Sequence, residues 1–188
     1  MKIAVAGNIA AGKSVVQNIL EDFGYKVLDT DICGHEALKQ EEIKTALSDL
    51  DIFVNGEISR EKLGCLVFNN TEIKQRLENL VHPVIQQDIL NFFEQNKTDK
   101  LLFVGIPLVF ETKMENLFDK IVFIYADDAI RLQRLIKRNH YTEEYALLRL
   151  KSQLPQEEKL SRCDYVIKNN CSIGELRVQL MDFISKLN

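Results

Sequence analysis

Several features that would place this chain in common structural classes are missing. The four cysteines, Cys33, Cys65, Cys163 and Cys171, lie far apart, no two form a C-x-x-C pair, and no histidine stands at metal-ligand spacing from them. That excludes a zinc site of the usual spacing and leaves reduced thiols of an intracellular, cytoplasmic protein as the expectation. No apolar run is long enough to span a membrane. The short run after Met1-Lys2 stops at Gly12-Lys13-Ser14, so it reads as a first strand and not as a signal peptide. Net positive charge is lacking too: 24 Lys and Arg stand against 28 Asp and Glu, a balance of −4. A surface built to grip nucleic-acid phosphates is therefore not expected, and a polyanionic ligand would need a local basic cluster. Repeats, low-complexity tracts and linkers are absent as well. At 188 residues, 46% hydrophobic and 28% charged, the composition is that of a globular protein with one domain and room for an inserted subdomain.

What is present begins with Gly7-Asn8-Ile9-Ala10-Ala11-Gly12-Lys13-Ser14, the pattern G-x-x-x-x-G-K-[ST], directly after the apolar run Ile3-Ala4-Val5-Ala6. A buried strand ending in a glycine-bounded loop that turns into a helix aims successive backbone N–H groups, and the positive end of the helix dipole, at one point. That point suits a polyphosphate, with Lys13 reaching the β and γ phosphates and the Ser14 hydroxyl a ligand to Mg²⁺. The loop interior lacks the third glycine such loops often carry, so its backbone must be acceptable to residues with a Cβ.

The first helix is expected over 12–23, from the spacing of Val15, Val16, Ile19, Leu20 and Phe23. A second strand, Tyr25 to Asp31, runs into two carboxylates. If the strand persists, Asp29 and Asp31 project to the same side at its carboxyl end, where open α/β sheets bind ligands. An acid there could orient a hydroxyl attacking the γ phosphate, hold Mg²⁺ through water, or cap a helix opening near Ile32. Residues 32–99 are helical in pattern, with a turn at Asn55-Gly56 and Ser59 as an N-cap, and suggest a subdomain inserted between strands. His82-Pro83 interrupts the last long helix of this region, as a functional imidazole at a kink or as a plain helix break.

Leu101 to Leu108 is the third strand, with Pro107 at its exit and Glu111 beyond; Ile121 to Tyr125 is the fourth. Asp127 opens a helix carrying Arg131, Arg134 and Arg138 at offsets that share one face. Between 131 and 151 six basic residues meet two acidic ones, which supplies the local basic cluster. These arginines read either as a lid that clamps transferring phosphates or as a solvated face. Tyr165-Val166-Ile167 is the fifth strand, and Ser172 caps a closing helix.

With these pieces in place the sequence resembles the dephospho-CoA kinases along nearly its whole length. The matching residues are the loop Gly7 to Ser14, Val27-Leu28-Asp29-Thr30-Asp31, Asn55-Gly56 with Arg60, Val81-His82-Pro83-Val84-Ile85, and Ile106-Pro107-Leu108-Val109-Phe110-Glu111. Gln133-Arg134 with Arg138, Arg149 with Gln153, and Asp164 to Asn169 complete the set. The resemblance implies an α/β P-loop kinase fold within a single domain, 1–188, with five parallel strands in order 2-3-1-4-5. It also implies helices on both sheet faces, a helical coenzyme-binding insertion over 32–99 and a helical lid over 127–154.

The implied reaction is transfer of the ATP γ-phosphoryl group, with Mg²⁺, to the ribose 3′-hydroxyl of dephospho-CoA. Asp31 is implied as the catalytic acid, with Lys13 and Arg138 carrying charge. The implied nucleotide contacts are Asn8, Ile9, Ala10, Ala11, Gly12, Lys13, Ser14, Val15, Arg134 and Asn169, the last near the adenine. Asp31, His82, Pro107 and Arg149 are implied for the acceptor, and Ser14 for Mg²⁺. A monomer without nucleic-acid or membrane partners is expected. This chain departs from the family pattern at Ala6, Asn8, Ala10 and Val15, where a hydroxyl residue, two glycines and a threonine are usual. A kinase for another small acceptor shares the loop and lid; a GTPase switch does not fit, because Gly105-Ile106-Pro107-Leu108 stands where a D-x-x-G would follow the third strand.

Overall fold

The computed structural model of the chain describes residues 1–187. In order, the elements are β1 (Lys2–Ala6), α1 (Lys13–Asp22), β2 (Lys26–Asp29), α2 (Thr30–Ala37), α3 (Glu41–Ala46), β3 (Phe53–Val54), β4 (Glu57–Ile58), α4 (Arg60–Asn69) and α5 (Thr71–Gln95). Then come β5 (Leu102–Gly105), a 3₁₀ turn at Glu115–Leu117, β6 (Lys120–Tyr125), α6 (Asp128–Asn139), α7 (Glu143–Lys151), α8 (Gln156–Leu160), β7 (Tyr165–Lys168) and α9 (Ile173–Ser185). They form two compact units, one of Met1–Asp29 with the chain from Asn96 on, the other of Thr30–Gln95.

In the first unit the five strands run parallel in the order β2-β5-β1-β6-β7. With the hairpin strands β3 and β4 set aside, this is the expected order 2-3-1-4-5. The central strands are apolar throughout because both of their faces are covered. Ile3, Val5, Phe103, Val122, Ile124 and Ile167 pack with Val16, Ile19 and Leu20 of α1 and with Leu176, Leu180, Phe183 and Ile184 of α9. Ala4, Ala6, Leu102, Val104 and Phe123, which alternate to the other face, are as fully buried. The closing helix starts where the sequence places it: Ser172 accepts from the Glu175 N–H while the Glu175 carboxylate accepts from the Ser172 N–H, a reciprocal cap.

Asp164 ties β6 to the incoming edge of β7, accepting from Lys120 Nζ at 2.8 Å and from the Ile121 N–H at 2.8 Å. Burial pushes its carboxyl up, but the Lys120 and Ile121 hydrogen bonds outweigh that and leave its pKa below the ordinary 3.8. A group held lower in the folded than in the unfolded state stabilises the fold above the unfolded pKa and loses that contribution as pH falls through the folded one. The melting-temperature gap between wild type and Asp164→Asn is accordingly expected to be full near neutral pH and to close as pH falls below the ordinary carboxylate range. A gap that persists undiminished in acid would assign the loss to packing.

The second unit differs from its sequence expectation in two places. Around Asn55-Gly56 the chain makes a two-stranded antiparallel hairpin, β3 with β4, with positive φ at both turn residues (52° and 81°). These strands are two residues each, too short to leave a pattern in the sequence. Pro83, expected to interrupt the helix, lies within the continuous 25-residue α5. It is exposed, while Val81 and Val84 on either side pack on the core of this unit. The core of this unit joins Ala37, Ile43, Leu47, Ile52 and Leu63, with Leu77, Leu80, Val81 and Val84 of α5 packed on it.

Candidate active site

The loop between β1 and α1 takes its shape from close backbone approach. At Gly7 a Cβ would lie 2.9 Å from the Ile124 carbonyl oxygen, and at Gly12 (φ 99°) 2.0 Å from the Asn169 amide nitrogen. Ala10 sits at φ 62°, the left-handed region that L-residues avoid. Side chains from the following elements hold this backbone in place. Arg131 Nε donates to the Ile9 carbonyl (2.9 Å), and Asn169 Nδ2 to the Ala11 carbonyl (2.7 Å). Arg134 spans the Ala11 and Asn169 carbonyls (3.4 and 2.9 Å), and Gln153 Oε1 accepts from the Ile9 N–H (2.7 Å). The loop carbonyls at 9 and 11 are thus turned toward α6 and β7. The amides opening α1, from Lys13 on, are the ones a helix leaves without intrahelical partners.

Lys13 is nearly buried, 8% exposed, and its ammonium lies 3.6 Å from Asp29 Oδ1 and 3.3 Å from Gln17 Oε1. Asp29 ends β2 in register with Gly105, which pairs in turn with Val5 ahead of the loop. A Cβ at Gly105 would lie 2.2 Å from the Gln17 amide, so a side chain there would displace the Gln17 head. A glycine on β5 therefore admits Gln17, and Gln17 with Asp29 fixes the lysine. Ser14 and Val15 are exposed in the first turn of α1.

The strand does not persist to Asp31. It ends at Asp29, and α2 begins at Thr30, so Asp29 and Asp31 do not share a strand face and Asp31 stands in the first turn of a helix. Asp31 and His82 belong to the second unit, where Asp31 is exposed and His82 half-buried on α5. Pro107 follows β5 and is half-buried; Arg149 lies half-buried in the last turn of α7.

The three arginines of α6 are not one solvated face. Arg131 is 3% exposed and pairs with Asp128 at 2.7 Å; burial pushes its guanidinium down, opposed by Asp128. Arg134 is half-buried on the loop, and Arg138, exposed in the last turn, donates to Asn139 Oδ1. Sequence reasoning gave no role to Gln17, Asp128, Gln156 or Lys159. Lys159 is completely buried although it sits in a Glu-Glu-Lys run that reads as surface. The available signal was Glu111, a lone acid after an apolar strand, and it names no partner.

A family model described as dephospho-CoA kinase matches residues 1–175. The chain belongs to the dephospho-CoA kinase family. It is 37% identical to the dephospho-CoA kinase of Geobacillus kaustophilus over 195 residues, covering 99% of this chain and 96% of that one. The structure of the Campylobacter jejuni dephospho-CoA kinase is similar over 100% of this chain and 97% of that one, with 34% identity and a TM-score of 0.64. A crystal structure of a Thermus thermophilus protein aligns over 100% and 98% of the two chains, with 32% identity and a TM-score of 0.87. The loop, the Lys13 environment and the α6 arginines all fall in the matched region.

Proposed function

We propose that this protein transfers the γ-phosphoryl group of Mg-ATP to the ribose 3′-hydroxyl of dephospho-CoA, giving CoA and ADP as the last step of coenzyme A synthesis. The observation that carries the reading is a family match that runs through the formed phosphate loop and nearly the whole chain. In phosphoryl transfer the protein contributes mainly position and charge. Amides at the start of α1 receive the phosphates, and Lys13 meets the charge that develops between β and γ. Arg138, exposed at the end of α6, supplies further charge when the acceptor is bound, while Arg134 and Asn169 shape the loop wall next to the nucleotide. Asp31 orients the 3′-hydroxyl and takes its proton; His82, Pro107 and Arg149 contact the acceptor.

The donor set fits Mg²⁺. The Ser14 hydroxyl is exposed at the helix start, while among the described residues no group of three His, Cys, Asp or Glu could cage an ion alone. Magnesium with few protein ligands takes the rest from phosphate and water. An ion held by Ser14 would supply charge neutralisation to the phosphates. The protein acts as a cytoplasmic monomer without nucleic-acid or membrane partners; no helix among the described residues is long and apolar enough to cross a membrane.

The test is an acceptor panel: ADP release from Mg-ATP with dephospho-CoA, AMP or adenosine. Release confined to dephospho-CoA and abolished by EDTA is expected. Equal or greater release with AMP would make this a kinase for another acceptor.

A further inference from the structure

The departure at Asn8 comes with a compensation that lies far away in sequence. Lys159, on α8, is 0% exposed and ion-paired with Glu111 Oε1 at 2.6 Å. An ammonium already neutralised by a carboxylate needs nothing more for its charge, yet Lys159 Nζ also donates to Asn8 Oδ1 at 2.8 Å. The other end of the same amide, Asn8 Nδ2, donates to the Leu154 carbonyl at 2.9 Å. One residue on, the Ile9 N–H is taken by Gln153. The segment 153–159 thus grips the Asn8 side chain at both ends and the backbone after it. The next residue is Ala10, at a φ that persists only where the surroundings over-determine it.

The structure assigns Lys159 as a positioning residue of the phosphate loop. Held by Glu111, it fixes Asn8, and Asn8 fixes the non-glycine backbone through Ala10 so that the amides beyond are aimed before nucleotide arrives. Preorganised amides bind phosphate without the cost of ordering a loop, so this contact sets nucleotide affinity and has no direct bearing on the acceptor. The inference rests on the loop being the ATP site. Loss of Mg-ADP binding in Lys13→Met tests that reading separately.

The decisive measurement is a double-mutant cycle on Mg-ADP binding by calorimetry, with KM for both substrates. Because Glu111 Oε2 is buried without a hydrogen-bond partner among the described residues, removing the lysine alone would strand a carboxylate. The variants are therefore Asn8→Ala, the pair Lys159→Met with Glu111→Gln, and all three together. Asn8→Ala and the pair are each expected to weaken Mg-ADP about tenfold and leave KM for dephospho-CoA within about twofold. The triple variant is expected to be no more than about twofold weaker than either, since all act through one contact. A loss of about a hundredfold in the triple variant would make the effects independent and overturn the assignment. So would unchanged binding in either variant, or an equal rise in KM for both substrates. Should the pair variant fail to fold, Asn8→Ala still tests the proposal: unchanged Mg-ADP affinity overturns it.

Discussion

Replacing Asp31 by asparagine is expected to lower kcat by about a thousandfold while Mg-ADP affinity stays within about twofold of wild type. The reason is chemical. Asparagine keeps the size and an oxygen that can accept a hydrogen bond, but it cannot take the proton that the 3′-hydroxyl loses as it becomes the nucleophile. The structure places Asp31, exposed, in the first turn of α2, just past the end of β2. Helix starts accept carboxylates readily, and losing one there costs stability of about 0.3–1 kcal/mol, too little to unfold the protein. Steady-state kinetics with calorimetry separates the outcomes. Unaffected turnover would remove Asp31 from the chemistry, and an equal loss of nucleotide affinity would make it part of the ATP site.

Lys13→Met should have an effect of similar size on the other substrate, lowering kcat/KM for ATP by about a thousandfold. Methionine matches the buried stem, so packing on α1 survives, but the charge near the β and γ phosphates is gone. What remains is the Asp29 carboxylate that Lys13 faced at 3.6 Å. It then repels the phosphates, so nucleotide affinity falls as well as turnover. If kcat were unchanged and only KM rose, Lys13 would be contributing ground-state binding alone. Asp29→Asn in the Lys13→Met background is expected to recover part of the nucleotide affinity, which identifies the repulsion as its source.

The parts legible in the sequence were those written locally. The phosphate loop is a short motif next to an apolar strand, and the strands buried on both faces announce themselves as unbroken apolar runs. The helix caps at Ser59 and Ser172 follow from single residues in the right place. The site's wiring was not local. Arg131, Gln153, Lys159 and Asn169 reach the loop from more than a hundred residues away, and nothing in a run such as Glu157-Glu158-Lys159 says that its lysine is buried on a carboxylate at Glu111. Gly105 shows the same limit. Its reason is the Gln17 amide filling its Cβ position, a contact between strand and helix that spacing cannot reveal. Pro83 marks the opposite case, in which a strong local signal for a break gave way because tertiary packing holds α5 together around it.

The most direct test of the central claim is ³¹P NMR of the product formed from Mg-ATP and dephospho-CoA, followed alongside ADP. A new ribose 3′-phosphomonoester appearing in step with ADP, one for one, is the predicted result. ADP accumulating with inorganic phosphate and no new monoester would contradict it, and so would a phosphate on any other position of the acceptor.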